Sequence, residues 1–194
     1  CHTHPVFFND RSKEFEMRVA GNTYEQIAAN GGGINSSVKS LRDSDYDELK
    51  QRVTRRMNDF LKLGTTTLEA KSGYGLNLES ELKSLAILDK VNSEHIIDII
   101  PTFMGAHAVP KEYNDKPDDY VNHLCEVIIP AVAKQGIAKY NDVFCEKGYF
   151  NIKQSEKILL AGLEYGLLPR IHTDEFENIG GAQLASALKC VSAD

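Results

Sequence analysis

Residues 45–70, DYDELKQRVTRRMNDFLKLGTTTLEA, contain the unit from which the rest of the chain is built. Apolar Leu49, Val53, Met57, Phe60 and Leu61 recur at helical spacing over residues 45–63, and Gly64 is placed to end that helix. Residues 65–70 then read as a strand. The same order of helix, glycine, β-rich run and polar loop returns along the chain. A helix over 78–91, with Leu82, Leu85, Ile87 and Leu88 toward the core, precedes a strand over 95–103. A helix over 118–134 stops before Gly136 and leads to a strand over 140–145; a helix over 152–165 ends at Gly166 and leads to a strand over 169–172. A last helix, 182–188, runs into residues 191–194, which begin to read as a further strand.

Repeated strand-helix units predict an α/β fold with a parallel sheet. Six strand positions can be counted, the first and last cut short. A (β/α)8 barrel needs eight strands and typically ~250 residues, so the expectation is a partial TIM-like barrel, approximately strands 1 to 6. An open, doubly wound sheet has the same rhythm. The reactive residues follow at least four different strands, however, as loops around a barrel mouth would place them.

With 194 residues, 42% of them hydrophobic and 26% charged, the chain can bury one sizeable core and does not resemble a disordered segment. A net charge of −6 with scattered basic residues argues against nucleic acid as a partner. Cys1, Cys125, Cys145 and Cys190 form no CxxC pair, so neither a zinc ribbon nor a disulfide framework is expected, and a cytoplasmic setting is the simplest. No apolar run reaches the ~18–20 residues of a membrane span, so no membrane partner is expected.

His2-Thr3-His4 places two imidazoles on one side of an extended strand, because alternate side chains share a face. Such a pair can supply half of a metal site. His172, at the end of the fifth strand, sets a third imidazole at the same face, and three histidines from two strands can hold one divalent ion. Glu175, three residues on, is suited to moving a proton beside metal-activated water. The Gly31-Gly32-Gly33 run lacks the GK[ST] ending of a phosphate loop and reads as a loop near the site mouth, a candidate lid. His95, His123 and Cys145 lie away from the presumed mouth.

Several segments together carry a family resemblance. They are His2-Thr3-His4, Tyr24 with Gly31-Gly32-Gly33-Ile34, Glu69-Ala70-Lys71-Ser72-Gly73-Tyr74-Gly75-Leu76, Phe103-Met104-Gly105-Ala106-His107-Ala108-Val109-Pro110, Asn141-Asp142-Val143-Phe144-Cys145-Glu146-Lys147-Gly148 and Ile171-His172-Thr173-Asp174-Glu175. Over essentially its whole length the chain resembles the imidazolonepropionase family of metal-dependent amidohydrolases. The resemblance implies hydrolytic opening of 4-imidazolone-5-propanoate to N-formimidoyl-L-glutamate, a cytosolic step of histidine degradation. It implies His2, His4 and His172 as ligands of one zinc or iron ion, and Glu175 as the residue that binds the ring and relays protons. His107 would hydrogen-bond or polarise the ring carbonyl, with a satisfied structural histidine as the alternative. Arg11 would anchor the propanoate through a paired, charge-assisted contact, the alternative being a solvated arginine beside Asp10. Tyr74, between Gly73 and Gly75, would contact substrate, and Tyr24 stands open between contact and packing. Lys71 reads as structural.

The family pattern also includes a histidine on a sixth strand, an aspartate on an eighth and a small β-domain. None is in these residues, so the expectation is an incomplete catalytic barrel over 1–194 that begins inside the first strand. As an isolated piece it is expected to bind metal weakly, to aggregate and to be inactive. The resemblance leaves a homodimer open. Two other readings compete: another cyclic amidohydrolase or a nucleobase aminohydrolase, and a non-catalytic binding scaffold.

Overall fold

The computed structural model describes residues 2–23, 26 and 32–194. Tyr24 and Gly31 therefore lie outside the described residues. β1 (His2–Thr3), β2 (Thr67–Lys71), β3 (Asp98–Ala106), β4 (Tyr140–Cys145) and β5 (Leu168–Thr173) form one parallel sheet in the order β1-β2-β3-β4-β5. Each strand pairs with the next in sequence, so the order never reverses as it does in a doubly wound sheet. This sequential α/β arrangement is consistent with part of a TIM-like barrel. At the sixth position residues 191–194 run parallel beside β5: the Val191 and Asp194 N–H groups donate to the Pro169 and Ile171 carbonyls, and the Ile171 and Thr173 N–H groups donate to the Ser192 and Asp194 carbonyls.

The helices begin and end where local chemistry directs. Between β1 and β2 lie α1 (Ser12–Val19), α2 (Ile34–Arg42) and α3 (Tyr46–Lys62). Asp45 caps α3 by accepting the Asp47 and Glu48 N–H groups, and Gly64, at φ 90°, lets the chain turn away from its end. The next helix, α4 (Leu78–Glu94), is capped by Asn77. Then come α5 (Pro117–His123) and α6 (Ile129–Gln135), joined by a π turn over Leu124–Ile128. Pro130, just inside α6, has no N–H to give to the preceding turn, which favours this widening. Downstream, α7 (Ile152–Glu164) starts from a reciprocal Asn151–Gln154 capping box, and α8 (Gly181–Ala187) follows β5. Gly33, which the sequence places in a candidate lid, is instead the residue from which α2 starts, and its N–H is held by Glu14 at 3.0 Å.

The two faces of the sheet differ sharply in chemistry. Leu68, Ala70, Ile99, Phe103, Val143, Cys145 and Ile171 join a core built with Leu49, Val53, Met57, Leu85, Leu88, Ile158 and Leu159 of the covering helices. The opposite face carries the alternate residues Glu69, Lys71, Thr102, Asp142, Arg170 and His172. They form a continuous polar ladder. Lys71, fully buried, bridges Glu69 at 2.7 Å and Asp142 at 2.5 Å; Glu69 in turn accepts from Thr102 at 2.5 Å and from Arg170 at 2.8 Å. Arg170 also lies over the Tyr140 ring at 4.1 Å. Pairing of this kind offsets the cost of burying charge, so the ladder binds strands β2 to β5 to one another and forms a rigid floor beneath the strand ends.

Candidate active site

The histidines expected to act together converge at the carboxyl ends of β1 and β5. Ring nitrogens of His2, His4 and His172 all lie within 4.8 Å of one another. Each ring is oriented by an oxygen on its Nδ1 side. Asp142 Oδ1 lies 3.0 Å from His172 Nδ1, Ser72 C=O lies 3.3 Å from His4 Nδ1, and Asp194 Oδ2 lies 3.2 Å from His2 Nδ1. A carbonyl or an ionised carboxylate can only accept, so these contacts place a proton on Nδ1 and leave the Nε2 lone pair for other use.

The donor set fits a divalent cation. His172 Nε2 lies 3.2 Å from His2 Nδ1 and 3.3 Å from His2 Nε2, and a cation could take the lone pairs of both Nε2 atoms across the second separation. Two nitrogens in a tetrahedral shell about 2.0–2.1 Å from zinc stand about 3.4 Å apart, which this separation matches. His2 and His4 are also held toward the neutral form that ligation requires. Burial, followed by the charges of His107, His2, His172 and Lys71, brings His4 down to about 2; burial, then His172 and Lys71, lowers His2 against the opposing pull of Asp194. Asp142 stays ionised: burial alone would raise its pKa, but the His172 hydrogen bond and the charges of His172 and Lys71 hold it low.

The remaining expected residues surround this cluster. His107 stacks on His4 with ring centroids 4.8 Å apart, and Tyr74 lies 5.6 Å from His4 and 5.3 Å from His107. Arg11, Tyr74 and His4 line one cavity of about 200 Å³ together with Phe7, Asp10 and Ser37. The Arg11 guanidinium is braced by Glu14, at 2.7 Å from Nε and 2.5 Å from Nη2, and not by Asp10, which accepts instead from Ser12. Arg56 fixes the chain leaving β1 by donating to the Pro5 and Phe7 carbonyls at 3.0 and 2.8 Å.

His107 Nδ1 lies 2.9 Å from the Gly73 carbonyl, and burial takes its pKa down to about 4. A neutral ring with its proton on Nδ1 presents a bare Nε2. In that tautomer Nε2 accepts a hydrogen bond.

Glu175 is exposed on the loop after β5, outside the histidine cluster. Its backbone is fixed by Glu146, whose carboxylate accepts the N–H groups of Glu175, Phe176 and Lys147 at 2.9, 3.0 and 2.8 Å. These bonds, led by that of Phe176, hold the Glu146 pKa low. Sequence reasoning assigned no role to Asp142 or Glu146. Asp142 alternates with its neighbours as a solvent-facing position would, and nothing local marks Glu146. His95 and His123 lie elsewhere as expected, against Asn58 and Tyr113.

No protein-family model matches the chain. Among curated proteins it is 51% identical to an imidazolonepropionase of Brevibacillus brevis, 48% to one of a Geobacillus species and 44% to one of Christiangramia forsetii. Each alignment runs over 193 residues, the whole of this chain, and covers 46, 46 and 47% of the relative. The chain thus spans about half the length of the curated relatives it matches. From end to end its sequence resembles imidazolonepropionases. No helix among the described residues is long and apolar enough to cross a membrane.

Proposed function

We propose, on this end-to-end likeness to imidazolonepropionases, that the chain forms barrel strands of a metal-dependent amidohydrolase that opens 4-imidazolone-5-propanoate to N-formimidoyl-L-glutamate in histidine degradation. The observation that carries the reading is the convergence of three imidazoles beside a cavity that also holds an arginine and a tyrosine. His2, His4 and His172 would hold one zinc or iron ion, each through the nitrogen its Nδ1 partner leaves bare. Such an ion acidifies water toward neutral pH and draws electron density from a carbonyl.

The chain's own residues then divide the remaining work. Arg11, oriented by Glu14, pairs with the propanoate tail and so fixes which end of the substrate enters the cavity. Tyr74 stays a protonated phenol, since burial raises its pKa against the opposing charge of Arg11, and it can donate to a substrate oxygen. His107, with Nε2 bare, accepts from a ring N–H and holds the imidazolone flat against the histidine cluster. Glu175 takes a proton from the attacking water and returns it to the ring nitrogen as the C–N bond breaks, its backbone held by Glu146. The setting is cytoplasmic, and the substrate is a small anion.

Loss of imidazolone absorbance on adding 4-imidazolone-5-propanoate to the purified complete protein, of which these residues form the barrel strands, tests the reading. Turnover of that compound and not of purines or pyrimidines is expected. Deamination of nucleobases without imidazolone opening would assign the site to an aminohydrolase, whose nucleobase substrates carry no carboxylate for Arg11 to hold.

A further inference from the structure

The loop over residues 72–76 reaches the site mainly through its backbone. The Ser72 and Gly73 carbonyls set the tautomers of His4 and His107, and Tyr74 forms a wall of the Arg11 cavity. The loop's conformation is not one a chain adopts unaided: Gly73 has φ 104° and Leu76, a non-glycine residue, φ 51°. A side chain at position 73 would meet the Met104 carbonyl at 2.8 Å. Some other group must hold the segment in place.

That group is Glu81, in the first turn of α4 and fully buried. Its Oε1 accepts the Gly75 N–H at 2.8 Å and the Leu76 N–H at 2.9 Å, and the Gly73 N–H lies 3.2 Å from both carboxylate oxygens. Among the described residues no basic side chain forms an ion pair with it. A buried carboxylate without a cation is costly unless hydrogen bonds replace its water. Here the replacement comes wholly from the loop that straddles Tyr74.

We propose that Glu81 is a positioning residue for the ring-opening reaction: by gathering the Gly73, Gly75 and Leu76 amides it sets His4, Tyr74 and His107 in their working orientations. The reaction named rests on the function proposed above; the hold on the loop does not. Glu81 itself does not touch substrate, since the loop lies between.

Glu81→Gln keeps the volume and one accepting oxygen but turns an N–H2 toward amides that need an acceptor. Three readings follow in the purified protein: hydrogen exchange at the Gly73, Gly75 and Leu76 amides, the ring-nitrogen shifts of His107, and the steady-state constants. Expected are exchange at least about tenfold faster at the three amides, His107 shifts moving toward mixed tautomers, and kcat/KM reduced roughly 10–100-fold with metal content unchanged. If the variant does not fold, exchange in the unsubstituted protein decides: amides as slow as those of β2 support the clamp, and amides as fast as open loops overturn it. A folded variant with unchanged exchange and unchanged His107 shifts overturns the proposal. Unchanged kinetics in an active enzyme would overturn it equally. A parent protein that opens no imidazolone would refute the function, leaving exchange and ring shifts to judge Glu81.

Discussion

Asp142→Asn removes one negative charge from the floor of the site while keeping the shape of the side chain, and it forces a choice between two losses. Asp142 is fully buried, with one oxygen on His172 Nδ1 at 3.0 Å and the other on Lys71 Nζ at 2.5 Å. An asparagine can offer its oxygen to only one of them. If the amide N–H2 turns to Lys71, two donors face each other in the core. Breaking a buried pair costs about 3–5 kcal/mol, and the lower end applies because Lys71 keeps Glu69 at 2.7 Å. If it turns to His172, the imidazole proton moves to Nε2, the nitrogen needed for the metal. Loss of such a supporting contact weakens metal affinity by roughly 10–100-fold, about 1.4–2.7 kcal/mol. Zinc competition against a chromophoric chelator and urea unfolding of the metal-free protein read the two losses separately. Stability lower by about 3 kcal/mol, or zinc affinity lower by at least about tenfold, is expected. Both quantities unchanged within about 0.5 kcal/mol would refute the assignment of Asp142 as the support of His172.

Arg11→Ala should raise KM for the imidazolone propanoate by roughly 10–100-fold with kcat changed far less, because a charge-assisted contact to a remote tail is made in both ground and transition states; unchanged substrate affinity would remove the anchor. Gly73→Ala should destabilise the fold by about 2–4 kcal/mol, since the residue sits at φ 104° and a Cβ would lie 2.8 Å from the Met104 carbonyl and 3.1 Å from His107 Nδ1; thermal unfolding measures it. The metal-free protein should lose stability as pH falls below about 6.5. His4 and His107, with folded pKa values of about 2 and about 4, stay neutral while the unfolded chain takes up protons. Both contribute down to about pH 4, at up to about 2.7 kcal/mol per pH unit, and His4 alone contributes below that. Replacing His107 by Gln should roughly halve the slope in the upper window, and an unaltered slope would contradict its burial as a neutral ring.

The order of elements was legible because the chain is punctuated. Gly64, Gly136 and Gly166 follow helices whose apolar residues recur with a helical period, and the strand over Tyr140–Cys145 coincides with its sequence expectation residue for residue. α1 was not legible, because Ser12–Val19 buries no residue and so shows no apolar stripe. The histidine triad was visible in part, since HxH on one strand and a histidine ending another need only the parallel sheet to meet. What sequence could not show is the polar floor. Glu69, Lys71, Asp142 and Arg170 alternate with apolar residues as solvent-facing positions would, and only the pairing of β2 with β3 and of β4 with β5 reveals that they face one another in the interior. The acceptor tautomer of His107 was equally out of sight, because it depends on a carbonyl 34 positions away along the chain.

The proposed ring opening requires one metal ion held by His2, His4 and His172. Stripping the purified protein with a chelator and titrating zinc or iron(II) back, while following imidazolone absorbance, measures this directly. Activity that vanishes on stripping, returns in proportion up to one ion per chain, and is lost in His172→Ala is the predicted result. Turnover that survives stripping, or a His172→Ala protein that binds metal and turns over as before, would contradict it.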